Sequence, residues 1–385
     1  MKRVVGVITE YNPFHHGHAY QLRRLRELTQ ADVVVVLMSG NVVQRGEFAL
    51  VDKWTRAEVA VAQGADLVIE MPLFATVQSA DFFAQKCVDI LARIGCRTLV
   101  FGTETASARQ LRDYVMWLNA HDEVLQTAVR QQMKRGRSYP VAYAQAVTDL
   151  GEAPFDISTP NHLLAVQYTR ANMALTQPME LLAIPRIETL SGSQIRAKHQ
   201  AQTLAPTDLP SEMFNGLKAT ACWQDYWPLL RYQLTSQTRD SLRQIVGVDE
   251  GLDKHLLAHL DAPDFEHFIK ALISKRWTRS RIQRALLMIL LNIRRSEWQQ
   301  AQRSELALRV LAYDEVGQQF LRHYTKQVDS LQLFSNLKQH HLSYALNLKA
   351  DRIYQLNQTN PIPEQIRGKY PAFIQKYIDK MSRSN

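Results

Sequence analysis

Through its first two hundred residues the chain alternates short runs of apolar, mostly β-branched residues with longer stretches whose apolar positions recur every three or four. The runs 4–8, Val33–Met38, Leu67–Glu70 and 98–101 read as strands, with 181–187 as a later one. The first, an apolar run rich in β-branched residues, is expected to be a buried strand of a parallel sheet. The stretches 55–63 and Ala80–Ile94 have helical periodicity, with Asp52 and Ser79 placed as N-caps and Gly64 and Gly95 as C-terminal stops. Strand and helix in alternation predict right-handed crossovers on a parallel sheet. Residues 107–150 read as further helix. Ser158-Thr-Pro-Asn161 has the cap-then-proline order that starts another, through Arg170, so on this reading Asn161 belongs to a helix start.

The second half changes character. Its apolar positions are spaced for helices, and 274–295 reads as one long amphipathic helix with Lys275, Arg276, Arg279, Arg281, Arg284, Arg294 and Arg295 on a basic face. Pro206 and Pro210 mark 201–212 as a linker, and 360–371 is irregular before a short terminal helix. The expected architecture is α/β with a parallel sheet over 1–200 and an all-helical part over 201–385.

The candidate chemistry lies where the first strand ends. Its loop leaves the carboxyl edge of the sheet, where α/β proteins bind ligands. Pro13 breaks the strand, Gly17 lets backbone approach a ligand, and a helix carrying Tyr20, Arg23, Arg24 and Arg26 follows. Free N–H groups and the helix dipole suit a phosphate. His15 and His18 could each donate an N–H to oxygens around phosphorus as charge builds in an in-line displacement. A second segment, Ser191-Gly-Ser-Gln-Ile-Arg196, could grip phosphates through hydroxyls and Arg196 at another helix start. Taken alone, the first segment is also compatible with a surface loop, and the second with an ordinary N-cap. Neither Gly-x-Gly-x-x-Gly nor Gly-x-x-x-x-Gly-Lys-Ser/Thr occurs, which excludes a dinucleotide or P-loop protein by motif.

The 385 residues, 46% of them hydrophobic, suffice for a large core. Cys87, Cys96 and Cys222 have neither disulfide-like nor zinc-like spacing, as expected for a reducing cytoplasm. No apolar stretch reaches membrane-spanning length, so a soluble, non-secreted protein is expected. The net charge of +9 is uneven: 21 Lys/Arg face 19 Asp/Glu over 1–200, against 25 and 18 over 201–385. A basic second half points to a polyanion, with RNA ahead of membrane.

The two phosphate segments in this order resemble the HIGH-motif nucleotidyltransferase superfamily of adenylyltransferases and class I aminoacyl-tRNA synthetases, which implies a Rossmann-like first domain. Four longer blocks are more specific: Thr9 to His18, Met38-Ser-Gly-Asn-Val-Val-Gln-Arg-Gly-Glu47, Asp52 to Glu58 and Gly64 to Pro72. With Phe101-Gly-Thr-Glu104, Pro160-Asn161, Pro185-Arg186-Ile187 and the helical segment after Lys275, they resemble the bacterial tRNA(Met) cytidine acetate ligase family. The resemblance implies that acetate and ATP give acetyl-adenylate, whose acetyl passes to N4 of the wobble cytidine of elongator tRNA(Met). It maps ATP binding onto Val7, Ile8, Thr9, Glu10, Tyr11, Asn12, Pro13, Phe14, His15, His16, Gly17, His18, Ala19 and Tyr20, with Gly102, Asn161, Arg186 and Ile187 completing the nucleoside contacts. It gives the adenylation step to His15 and His18 and the pyrophosphate side to Ser193 and Arg196. Lys275, Arg276, Arg279, Arg281 and Arg284 become candidates for tRNA phosphates, with Trp277 for stacking. Arg45, after the second strand, is a further candidate to face acetate or tRNA, or else a structural ion pair. Mg²⁺ is expected on the ATP phosphates, with no dedicated protein metal site, and no protein partner is implied. A small-metabolite adenylyltransferase and a non-catalytic RNA-binding protein are the competing readings.

Overall fold

The computed structural model describes residues 2–137, 139–151, 155–157, 159–217, 219–324, 331–335, 341–357 and 372–374. Its centre is one sheet of eight strands: β1 (Val4–Thr9), β2 (Val33–Met38), β3 (Leu67–Glu70), β4 (Thr98–Thr103), β5 (Glu180–Pro185), β6 (Leu306–Tyr313), β7 (Leu331–Phe334) and β8 (Ala372–Phe373). The order is β5-β4-β1-β2-β3-β6-β7, with β8 also on β6. Every pairing is parallel except β3 with β6.

Successive side chains of a strand point to opposite faces, which explains why β2, covered on both, is apolar throughout. Val33, Val35 and Leu37 face the helix Ala80–Ile94, whereas Val34 and Val36 face Leu22, Leu25, Trp54 and Val61 on the other side. The helices His16–Thr29, Lys53–Ala62 and Ala80–Ile94 form the crossovers. Asp52 caps the second through its side chain, and Gly95 ends the third at φ 93°. The chain runs from β1 outward to β2 and β3, then returns to place β4 on the other flank of β1. The crevice at such a reversal is where open α/β sheets bind ligands, and here the carboxyl ends of β1 and β4 border it.

The α/β class, the parallel sheet and a helical stretch after residue 200 agree with the sequence reading. Two details differ. The segment 274–295 is not one helix: Thr278 caps a helix Arg279–Leu290, the chain breaks at Asn292 (φ 46°), and a second helix runs Arg295–Arg303. The part after residue 200 is also not helical throughout, because β6 enters the sheet antiparallel to β3, with Ala307, Leu308, Val310, Leu311 and Ala312 all buried. Its Leu-Ala-Leu-Arg-Val-Leu-Ala composition suits a helix, but burial on both faces favours the strand. Within 201–212, Leu209 is buried and packs into the core on one face of the sheet. The irregular 360–371 segment and the terminal helix lie outside the described residues, as does Ser158.

At the carboxyl ends of β2 and β3 the sheet buries charge. Lys53 Nζ donates to Glu70 Oε2 at 2.8 Å, to Asp351 Oδ2 at 2.6 Å and to the Tyr344 hydroxyl at 3.1 Å. Tyr344 donates in turn to Glu70 at 2.7 Å, Asn347 donates to Glu70 at 2.9 Å, and Asn41 donates to Asp351 at 2.9 Å. Burial alone would raise the Glu70 carboxyl, but Lys53 and the hydrogen bonds of Tyr344 and Asn347 hold it below its usual value.

Candidate functional site

The loop after β1 is fixed from beneath. Arg56, fully buried, donates to the carbonyls of Val51 at 2.8 Å and Ser39 at 3.2 Å, and also to those of Glu10 and Gly40. One guanidinium thus joins the ends of β1 and β2. Asn12 Oδ1 accepts the Leu50 N–H at 2.8 Å, and Glu10 Oε1 accepts that of Gln44 at 3.0 Å. Burial pushes the Glu10 carboxyl up.

His15 is the N-cap of the helix His16–Thr29. Its Nδ1 accepts the Gly17 N–H at 3.1 Å, while its own N–H donates to Nδ1 of His18 at 3.2 Å. A peptide N–H can only donate, so both Nδ1 atoms carry lone pairs, and in each neutral ring the proton sits on Nε2. The rings stack with centroids 3.6 Å apart. Burial, then the charge of Arg186, pushes His15 down to about 4; burial, then His15 and Arg186, pushes His18 well below its usual value. The pair therefore presents neutral N–H donors at physiological pH. No acid occupies the first turn of this helix, leaving its positive end uncompensated.

The serine segment packs against this loop. Ser191 caps the helix Gly192–Gln200, with its Oγ 3.1 Å from that of Ser193. Arg196 donates to the Asn12 carbonyl at 2.7 Å and lies 3.9 Å from Glu47. A β-carbon on Gly192 would stand 3.0 Å from the Asn12 oxygen, and one on Gly17 would stand 3.1 Å from Thr189 Oγ1. Segments 184 positions apart in sequence meet within hydrogen-bond distance.

Across the crevice, Arg186 continues the β5 pairing by donating its N–H to Thr103 at 2.9 Å, and its guanidinium lies 3.9 Å from Glu104. Asn161 donates to the same carboxylate at 2.8 Å. Ile187 is exposed, and a side chain at Gly102 would meet nothing nearer than 3.7 Å, so the strand end there is open. The structure thus brings His15, His18, Arg196 and Ser193 together at the loop after β1 and Asn161 and Arg186 together at Glu104, with the Arg186 charge reaching both histidines. Val7, Tyr11 and Phe14 instead turn their side chains into the core, which leaves them backbone and packing roles. His16 is exposed and faces the Thr207 carbonyl at 3.2 Å.

The basic segment is less available than its composition suggests. Arg279 pairs with Glu266 at 2.5 Å, Arg281 with Asp249 at 2.8 Å and Glu250 at 3.0 Å, and Arg276 with Glu250 at 3.4 Å. Trp277 stacks on His255 with centroids 4.9 Å apart. Arg284 is half-buried against the loop after β2, where Gly46 (φ +76°) approaches so closely that a β-carbon would stand 2.6 Å from the Arg284 nitrogen. Lys275 is exposed, and so is Arg45, whose charge reaches Glu10.

Sequence reasoning passed over Arg56, Glu47, Glu104 and His162. Three of the four lie inside the blocks that carried the resemblance, but nothing local singles them out. His162, buried beside Asn161, accepts the N–H groups of Thr105 at 3.2 Å and Ala106 at 3.3 Å through Nε2.

Comparison with known proteins agrees with this geometry. A family model described as HIGH Nucleotidyl Transferase matches residues 1–368. A tRNA(Met) cytidine acetate ligase of Latilactobacillus sakei is 37% identical over 85% of this chain and 86% of its own length. One of Leuconostoc citreum is 35% identical over 96% and 97%, and one of Bacillus subtilis is 31% identical over 97% and 96%. The crystal structure of Thermotoga maritima TmcAL bound with alpha-thio ATP superposes with a TM-score of 0.85 at 26% identity, covering 98% of this chain and 100% of that one. With a HIGH-type crevice, a full-length family match and relatives above 30% identity along nearly the whole sequence, the chain belongs to the tRNA(Met) cytidine acetate ligase family of HIGH nucleotidyl transferases.

Proposed function

We propose that this chain activates acetate with ATP and transfers the acetyl group to N4 of the wobble cytidine of elongator tRNA(Met), as a cytoplasmic enzyme. The observation that carries the reading is the convergence of two neutral histidine N–H donors, a bare helix start and Arg196 on one crevice. An acetate oxygen attacks the α-phosphorus, the bond to the bridging oxygen of pyrophosphate breaks, and acetyl-adenylate forms. His15 and His18 donate from Nε2 to oxygens that gain charge in that step, and neutrality keeps them donors without a proton transfer. Arg196 and the Ser193 hydroxyl receive the departing pyrophosphate. The cytosine amine, a poor nucleophile because its lone pair is delocalised into the ring, then attacks the acetyl carbon. AMP leaves and the amine proton passes to water. Asn161, Arg186, Ile187 and the opening at Gly102 are assigned to the nucleoside.

Among the described residues no three His, Cys, Asp or Glu side chains are gathered as metal ligands; a Mg²⁺ carried on the triphosphate would offset its charge. No helix among the described residues is long and apolar enough to cross a membrane. Lys275, Arg276, Arg279, Arg281 and Arg284 are assigned to the tRNA backbone, with Lys275 and Arg276 the exposed ones.

The test is mass spectrometry of nucleosides from unmodified elongator tRNA(Met) incubated with the protein, ATP and isotopically labelled acetate. Labelled N4-acetylcytidine that requires both ATP and acetate is expected. Its absence, with acetate-dependent exchange of pyrophosphate into ATP retained, would overturn the acceptor.

A further inference from the structure

Glu104 stands one residue beyond β4, at the sheet reversal, and is only a quarter exposed. Its carboxylate collects groups from two elements, the start of the helix Pro160–Met173 and the residue after β5. Oε1 accepts the Asn161 amide N–H at 2.8 Å and lies 3.9 Å from Arg186 Nη1, while Oε2 accepts the Thr159 hydroxyl at 3.1 Å. The turn that carries it is held from behind. His162 Nδ1 lies 2.7 Å from the Asp156 carbonyl and must donate there, so its Nε2 is the lone pair that accepts the Thr105 and Ala106 N–H groups. That leaves His162 neutral and the turn locked onto the helix Pro160–Met173.

An ionised carboxylate can only accept, so the Asn161 atom facing it has to be the NH₂ group, whichever way the amide is drawn. The Asn161 carbonyl oxygen is thereby the amide atom left to meet a donor other than Glu104. We infer that Glu104 is a positioning residue that presents Asn161 to the nucleoside as a hydrogen-bond acceptor and draws Arg186 toward the same edge. A free asparagine amide can rotate and meet either a donor or an acceptor with its oxygen or its nitrogen; one pinned through its NH₂ holds its carbonyl oxygen in one place as a fixed acceptor. The ligand group it reads is an N–H or O–H of the nucleoside, either the exocyclic amine of adenine or a ribose hydroxyl. This rests on the assignment of Asn161 and Arg186 to the nucleoside.

The experiment measures acetate-dependent ATP–pyrophosphate exchange for the intact chain and for Glu104→Ala, Glu104→Gln and Asn161→Ala, with ATP, GTP and 2′-deoxy-ATP. A hydrogen bond to a charged group sets the scale, so Glu104→Ala is expected to raise KM for ATP about tenfold or more with kcat within about twofold. Its preference for ATP should shrink against GTP if Asn161 reads the base amine, or against 2′-deoxy-ATP if it reads the ribose. Glu104→Gln should recover most of the affinity, since its amide oxygen still accepts from Asn161. An unchanged KM in Glu104→Ala, or a loss of activity that follows a lowered melting temperature with both preferences intact, would overturn the inference. If Asn161→Ala itself leaves KM unchanged, the nucleoside assignment fails first; if Asn161→Ala raises KM and Glu104→Ala does not, only the positioning role fails.

Discussion

The two halves of one sheet edge treat their polar groups in opposite ways. At the ends of β1, β4 and β5, histidines, Arg196, Ser193 and Arg186 surround an open crevice, and the hydrogen bonds they make to the protein orient them while leaving further donors free. At the ends of β2 and β3, Lys53, Glu70, Tyr344, Asn347 and Asp351 are buried and answer one another. Both halves lie on the same sheet and both fix their side chains firmly. What separates a site from a structural clamp here is whether hydrogen-bonding capacity is left over once the geometry is fixed.

Tests of this contrast should affect chemistry on one side and folding on the other. The largest effect is expected from His18→Ala, which removes a donor aimed at developing charge and should slow acetyl-adenylate formation by about 10²–10³-fold. Pyrophosphate exchange measures this, and tRNA affinity should stay near that of the unaltered chain; loss of both would erase the distinction. Lys53→Met should do the reverse, leaving Glu70 and Asp351 buried without their cation. A loss of about 3–5 kcal/mol is expected in denaturant unfolding, and a change below about 1 kcal/mol would remove the clamp from the account.

Acid should weaken the open half through its histidines. An unfolded histidine binds its proton near pH 6.5, whereas burial holds His15 down to about 4. Below pH 6.5 the unfolded chain takes up a proton that the folded chain refuses, so stability declines as pH falls from about 6.5 to 4, by up to about 3 kcal/mol for this ring. His15→Asn should shallow that acid limb, as followed by melting across pH; an unchanged limb would mean that the ring is not held neutral by the fold. The smallest effect concerns the basic helix. Lys275→Gln should lower tRNA affinity and reduce the salt slope by about 1, whereas Arg281→Gln should change both less, because Asp249 and Glu250 already neutralise it. Equal effects would show that those acids release their arginine on binding.

Much of the fold was legible because it is written in local pattern. Val33–Met38 and Leu67–Glu70 are strands to the residue, the first a pure apolar run between Asp32 and Ser39, the second an apolar run from Asp66 that ends at Glu70. The helix Ala80–Ile94 follows its caps. The misjudged places are those where tertiary burial decides: β6 has a composition either state would accept, and Thr278 caps a helix inside a pattern that runs on past it on both sides. The two candidate phosphate segments could be picked out because their residue types are unusual together. Glu104 and His162 could not, because a carboxylate earns its meaning only from partners 55 and more positions away. The arginine face misleads for a related reason, as its acids lie 13 to 32 positions off in sequence.

The contact between Lys53 and Asp351 spans 298 positions, and β3 finds its outer neighbour β6 only after about 240 intervening residues have been made. At synthesis speeds of roughly 5–20 residues per second, the strand edge and its lysine emerge some 12–60 s before the strand and carboxylate that cover them. During that interval a nascent chain exposes an unpaired strand edge and a cation destined for burial, the kind of surface chaperones hold. Native pairing at such separations also makes a slow folder, so the supply of active enzyme should depend on how well this half-finished sheet is sheltered during translation.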